Sequence, residues 1–281
     1  MKTVVWLASY PKSGNTWFRA FLANFLEQPE RPININHLDP GSLASARGPL
    51  DHLLGYDSST LTLEESDRMR RESYLHLARE GHRGPRFVKV HDAFTEVDGG
   101  PLFPPECTLA AIYIVRHPYD VSVSYANHSG RDELDGVVSG MCEPKFSMCK
   151  RKDRYNEQLR QVMLSWSGHV ESWLAARSLM RVHLVRFEDM KSDPRRTFGD
   201  AIRFLELPND EARIDRAIEF SSFDVLKRQE ETEGFREKLH ANRSFFRRGN
   251  SGEGRTALSD AQRALLATEH GAVMKRLGYS T

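Results

Sequence analysis

Lys12, Ser13, Gly14, Asn15 and Thr16 are the residues of this chain best suited by type and spacing to hold an anion. An apolar run at positions 4–8 precedes them and reads as a buried strand. Phe18, Phe21, Leu22, Phe25 and Leu26 follow at helical spacing. A strand that feeds a glycine turn and then a helix N-terminus points several backbone N–H groups, and the positive end of the helix dipole, at one spot. Phosphate suits that spot. Lys12 can reach it, and Ser13, Asn15 and Thr16 offer polar groups to its oxygens. The spacing is not that of a Walker A loop, whose lysine follows the second glycine, because Lys12 precedes Gly14. A plain strand-to-helix turn with a solvated lysine is the alternative.

Three more polar groups close strand-like runs. Residues 86–90 end at His91 and Asp92, residues 110–115 end at Arg116, and residues 182–187 end at Glu188 and Asp189. Ligands of open α/β sheets bind beyond the carboxyl ends of the strands, so this convergence points to an anion-handling active site. Helices are expected over residues 61–79, with Thr62 as N-cap and Glu65 at the capping-box position. Others are expected over residues 120–125, 159–174 and 194–205, the last with Phe198, Ile202 and Leu205 on one face. Residues 33–60 read as loops and short helices. Residues 130–152 read as a loop that carries the basic cluster Lys150, Arg151 and Lys152. Strands alternating with helices predict an α/β fold, a parallel sheet flanked by helices on both faces, in a single domain over residues 1–281.

The chain of 281 residues is 39% hydrophobic and 28% charged, with a formal net charge of +1. That balance gives no global pull toward nucleic acid or membrane, so local basic groups must do any anion binding. No apolar run approaches the roughly 18 residues of a membrane span. The strand at the N-terminus is broken too early for a secretory signal. Three cysteines without zinc-like spacing predict reduced thiols in a cytoplasmic protein.

The string Tyr10-Pro11-Lys12-Ser13-Gly14-Asn15-Thr16-Trp17 resembles the 5'-phosphosulfate loop of the cytosolic-type sulfotransferases, whose donor is 3'-phosphoadenosine 5'-phosphosulfate (PAPS). Further segments carry the same resemblance. Lys89-Val90-His91 is similar to the family's Lys-Thr-His, in which the histidine takes the acceptor's proton; the middle residue departs. Arg116 and Ser124, eight residues apart, match the 3'-phosphate motif. Phe187-Glu188-Asp189 stands where the family has Tyr-Glu-Asp, and Ser221-Ser222-Phe223 resembles a segment that holds adenine. Arg247-Arg248-Gly249 resembles the Arg-Lys-Gly segment that grips the 3'-phosphate, although Gly254 stands where a Trp is usual. The family's C-terminal dimer motif is not recognisable, and the oligomeric state stays open.

The resemblance implies a P-loop-like nucleotide-binding architecture and in-line transfer of a sulfuryl group from PAPS, leaving 3',5'-bisphosphoadenosine (PAP). It implies His91 as general base and Lys12 as the group that stabilises charge on the leaving phosphate. Trp17, Phe187, Ser221 and Phe223 would hold adenine; Arg116, Ser124, Arg247, Arg248 and Gly249 would bind the 3'-phosphate. No metal is called for. By position alone His91 also fits a hydrogen-bonded strand-end histidine, and Glu188 and Asp189 fit capping or pairing roles. The implied partner is a hydroxylated small-molecule acceptor (a metabolite, natural product or lipid), not nucleic acid. A P-loop-type kinase and a catalytically idle nucleotide-binding module are the other classes compatible with the loop.

Overall fold

The computed structural model describes residues 2–38, 42–80, 84–150, 156–247 and 249–281. The basic residues Arg151 and Lys152, and Arg248 of the proposed 3'-phosphate segment, lie outside the described residues. The chain begins with β1 (Val4–Ser9), α1 (Asn15–Glu27), β2 (Ser42–Leu43), α2 (Arg47–Leu54), α3 (Leu63–Leu77) and β3 (Arg86–Val90). A small hairpin of β4 (Glu96–Val97) and β5 (Gly100–Pro101) leads to β6 (Thr108–Val115), α4 (Pro118–His128) and α5 (Asp135–Cys142). Next come β7 (Ser147–Met148), β8 (Gln161–Val162), α6 (Trp166–Ala175), β9 (Val182–Arg186), α7 (Phe187–Ser192) and α8 (Pro194–Phe204). The chain ends with α9 (Glu211–Phe220), α10 (Phe223–Glu233), α11 (Glu253–Ala257) and α12 (Asp260–Arg276).

The central sheet has the order β2-β3-β1-β6-β9. Both β1 and β2 pair parallel to β3, with Val5 opposite Phe87 and Ala8 opposite Val90. All six residues of β1 are buried. Such a continuous apolar run, rather than an alternating one, is what a strand covered on both faces requires. The fold is the parallel α/β sheet flanked by helices that the alternation predicts.

By contact the chain divides into two compact units, residues 1–10, 41–113 and 143–183 in one, and residues 11–40, 114–142 and 184–281 in the other. The first is built on aromatic packing. Trp6 meets Tyr74 and Phe103 at ring-centroid distances of 5.1 and 5.0 Å and donates its indole N–H to the Thr108 hydroxyl at 2.8 Å. In the second, Phe21 of α1 stacks on Phe198 of α8 at 4.0 Å. Burying each such side chain contributes roughly 1.5–3 kcal/mol. The predicted face Phe198, Ile202, Leu205 is buried as expected. The Thr62–Glu65 capping box at the start of α3 forms with both of its reciprocal bonds.

Three local expectations are corrected. Residues 130–152 are not one long loop: they contain α5, an eight-residue helix that buries Val137, Val138 and Met141. Residues 159–165 are extended rather than helical. There the Met163 and Leu164 amides donate to the Phe146 carbonyl, and Leu164 sits at φ 59, which ends any helix. α6 starts only at Trp166, capped by the Ser165 hydroxyl accepting from the Gly168 amide. Finally, α4 starts at Pro118 rather than Asp120, because His117 caps it and Pro118 is pre-set for the first helical position.

Candidate active site

In the second unit the loop after β1 turns through two left-handed residues, Lys12 at φ 68 and Gly14 at φ 101. Glycine is required at position 14 on two counts. The backbone is left-handed, and a Cβ there would lie 2.7 Å from Phe187 Cδ2 and 3.0 Å from Met190 Cε of α7. Gly14 is the N-cap of α1, with no side-chain cap and no acidic residue in the first turn. The first-turn amides of a helix have no partners within the helix, so α1 presents its N-terminus to an external anion. Ser13 is fully buried, and its hydroxyl has no hydrogen-bond partner. Asn15 and Thr16, on the first turn, are also buried.

Arg116 leaves the end of β6 and its guanidinium carbon lies over the Phe187 ring, 4.2 Å from its centroid. One guanidinium nitrogen donates to the Lys12 carbonyl at 3.3 Å and another to the Asn250 carbonyl at 2.8 Å, while the buried Nε has no partner. Burial pushes its pKa down, an effect opposed first by Asp120. Arg116 therefore ties the lysine loop to the C-terminal glycine segment.

Asp120 completes that tie. Its carboxylate accepts the Gly252 amide at 2.8 Å and the Gly254 amide at 2.7 Å. A Cβ on Gly254 would lie 2.3 Å from the Tyr119 carbonyl carbon. No side chain fits at 254 in this chain, which accounts for its departure from the Trp of the resemblance.

The structure brings other expected residues together. Gly249, at φ 59, touches Phe223, whose ring would be 2.3 Å from any Cβ placed there. Trp17 meets Phe187 edge-on at 5.7 Å. Arg247 pairs with Glu253 at 2.6 Å. Ser124 is half-buried on α4. Ser221 is the residue the structure most clearly ties down elsewhere: it caps the C-terminus of α9, fully buried, and donates its hydroxyl to the Ala217 carbonyl at 2.7 Å. Glu188 is held by pairing, accepting the His117 amide at 3.0 Å and the Tyr279 hydroxyl at 2.7 Å.

In the first unit, His91 follows β3. Its Nδ1 lies 2.9 Å from the Ser9 carbonyl. A carbonyl only accepts, so Nδ1 carries the proton and the neutral ring keeps its lone pair on Nε2. The His91 carbonyl in turn accepts from His169 Nε2 at 3.1 Å, and the Tyr113 hydroxyl is 2.9 Å from His169 Nδ1. That fixes His169 as the Nε2-protonated tautomer, and full burial pushes its pKa down to about 4. Asp92 is gripped by both nitrogens of the buried Arg70, at 3.1 and 2.9 Å, and its carbonyl accepts from Trp173 Nε1 at 3.0 Å.

Sequence reasoning missed Arg70, Asp92 and His169 as the frame for His91. Arg70 sits in the charged stretch of residues 64–72, where nothing nearby marks it as buried. Phe245 was also missed: the Lys12 ammonium lies 3.4 Å from its ring centroid.

A buried, uncapped helix N-terminus behind a left-handed glycine, with an arginine at the end of the neighbouring strand β6, is an arrangement suited to an anion on a P-loop-like fold. The sulfotransferase domain family matches residues 2–278, and the chain belongs to that family. It is 23% identical to sulfotransferase 1B1 of Canis lupus familiaris over 260 residues, 91% of this chain and 78% of that protein. It is 25% identical to cytosolic sulfotransferase 5 of Arabidopsis thaliana over 266 residues, 92% and 75% of the two chains. Among solved structures, mouse sulfotransferase SULT7A1 complexed with PAP superposes with a TM-score of 0.61 at 19% identity, covering 99% of this chain and 89% of that one. Retinol dehydratase in complex with androsterone and inactive cofactor PAP gives 0.66 at 17%, covering 98% and 82%. Among the described residues no helix is long and apolar enough to cross a membrane.

Proposed function

We propose that the protein is a PAPS-dependent sulfotransferase that acts on a hydroxyl of a small-molecule acceptor, with residues 1–281 working as one sulfotransferase domain in the cytoplasm. The observation that carries this reading is the Ser13–Gly14 turn. It combines a buried, unpartnered hydroxyl with an uncapped helix N-terminus and a glycine that no other residue can replace, as a phosphate cradle requires. Family membership supplies the sulfur chemistry. Two related structures, of retinol dehydratase, hold androsterone or retinol, and a small hydroxylated acceptor is the class adopted for this chain.

In the proposed step the acceptor oxygen forms a bond to sulfur while the bond from sulfur to the 5'-phosphate oxygen breaks, giving the sulfate ester and PAP. His91 Nε2 takes the acceptor's proton as general base. The Ser9 carbonyl on Nδ1 holds the ring in the tautomer that can accept it. Lys12 and the amides of residues 13–16 meet the charge that grows on the 5'-phosphate. Arg116, Ser124, Arg247, Arg248 and Gly249 bind the 3'-phosphate. Trp17, Phe187 and Phe223 pack on adenine, with Ser221 fixing the turn from α9 into α10.

Incubation with sulfate-labelled PAPS and a panel of hydroxylated acceptors tests the reading. Label should move to at least one hydroxyl without added metal. Preference for ATP over PAPS with a magnesium requirement would favour a kinase instead.

A further inference from the structure

Within the second unit, the ammonium of Lys12 lies 3.4 Å from the centroid of the Phe245 ring, a close cation–π contact. A phosphate ligand does not by itself need such a seat. Lysine carries a compact charge on a flexible four-carbon stem, so one that must meet developing charge gains from having its ammonium placed beforehand.

The ring under Lys12 is itself held from several sides. Phe245 packs edge-on against Phe235 at 4.8 Å and against the His128 ring at 5.6 Å. With Trp17 it rests on the apolar cluster that includes Ala20 and Ala23 of α1, the helix that follows the lysine loop. Glu230 of α10 fixes its backbone. That carboxylate is buried, with a side chain 3% exposed, and it pairs with Lys238 at 3.1 Å. One of its oxygens accepts the Phe245 amide at 2.7 Å; the other accepts the Phe246 amide at 2.7 Å and the Ser244 hydroxyl at 3.2 Å. Burying a carboxylate is costly unless its bonds are met. Here three consecutive residues of one irregular segment meet them, and that fixes the course of the chain at the ring.

We propose that Phe245, moored by Glu230, is a positioning residue for Lys12: its ring fixes where the ammonium stands before a nucleotide arrives, so that the lysine meets the 5'-phosphate already in place. The proposal deepens the sulfotransferase reading and rests on it. An ammonium has three donors, so one side can lie on the ring while another serves a phosphate oxygen.

Calorimetry with two nucleotides tests this. PAP and adenosine 3'-monophosphate differ only in the 5'-phosphate, so the ratio of their affinities reads what the lysine loop contributes and cancels general damage to adenine binding. Phe245→Leu, which keeps an apolar side chain but no ring face, should lower that ratio about fivefold. Phe245→Tyr, which keeps the face, should hold it within about twofold of the unaltered protein. In a Lys12→Ala background Phe245→Leu should leave the ratio unchanged, because the partner of the ring is gone. An unchanged or raised ratio in Phe245→Leu, a Tyr variant as weak as the Leu variant, or the same drop in the Lys12→Ala background would overturn the assignment. Absence of PAP binding by the folded, unaltered protein, or its equal affinity for the two nucleotides, would instead condemn the sulfotransferase reading itself.

Discussion

The strand ends that carry Lys12 and His91 are built on opposite plans. In the loop after β1 and the Arg116 that reaches it from the end of β6, buried polar capacity is left unmet: the Ser13 hydroxyl and the Arg116 Nε have no partner, and the N-terminus of α1 has no side-chain cap. After β3 the groups around His91 are tied to protein. Asp92 takes two bonds from Arg70, Trp173 holds the Asp92 carbonyl, and His169 holds that of His91. An unmet buried donor costs about 1–3 kcal/mol, a penalty that a bound phosphate removes. A saturated frame does the reverse: it fixes one tautomer and orientation before any substrate arrives. One region is shaped by what it must receive, the other by what it must hold still.

Four changes test that contrast, in order of expected size. Arg70→Ala should lower folding stability by about 3–5 kcal/mol in denaturant titration, because it strands the buried Asp92 carboxylate. If the loss were within ~1 kcal/mol, the frame around His91 would not depend on that pair. His91→Ala should reduce turnover roughly 100-fold or more with PAP affinity nearly intact; a fully active variant removes His91 from the mechanism. Arg116→Ala should weaken PAP about 30-fold, and adenosine 5'-phosphosulfate much less. Equal losses for the two nucleotides would contradict its 3'-phosphate role.

The fourth change is in pH. His169 has a folded pKa of about 4, below its ordinary value, so the unfolded chain binds more protons below pH ~6.5. The stability contributed by the neutral ring is complete above that pH and declines as pH falls toward 4, by about 2 kcal/mol at pH 5. His270, also pushed down to about 4 by burial, has the same sign in the second unit. Denaturation midpoints from pH 7 to pH 5 check this: His169→Gln should flatten the dependence, and an unchanged slope would show that the ring is not held neutral.

The sequence was most legible where local chemistry and tertiary role coincide. The run from β1 through Gly14 into α1 announces itself because the same residues make the strand, the turn and the candidate anion site. The Thr62–Glu65 box fixes the start of α3 by contacts within four residues. Long-range pairings were opaque. Arg70 and Asp92 lie 22 residues apart, and His169 lies 78 from His91; nothing near either one in sequence signals the other. Residues 159–165 misled because their apolar spacing suits a helix, yet pairing of β8 with β7 and the left-handed Leu164 make them extended. The eight residues of α5 were too few, and too rich in glycine, to show a period.

Calorimetric titration of the folded protein with PAP addresses the central claim most directly, since it asks only whether the cradle around Ser13, Gly14 and Arg116 holds a doubly phosphorylated adenosine. Saturable binding about 100-fold tighter than that of adenosine 5'-monophosphate is the predicted result. No heat with PAP, or equal affinity for the two nucleotides, would contradict the account.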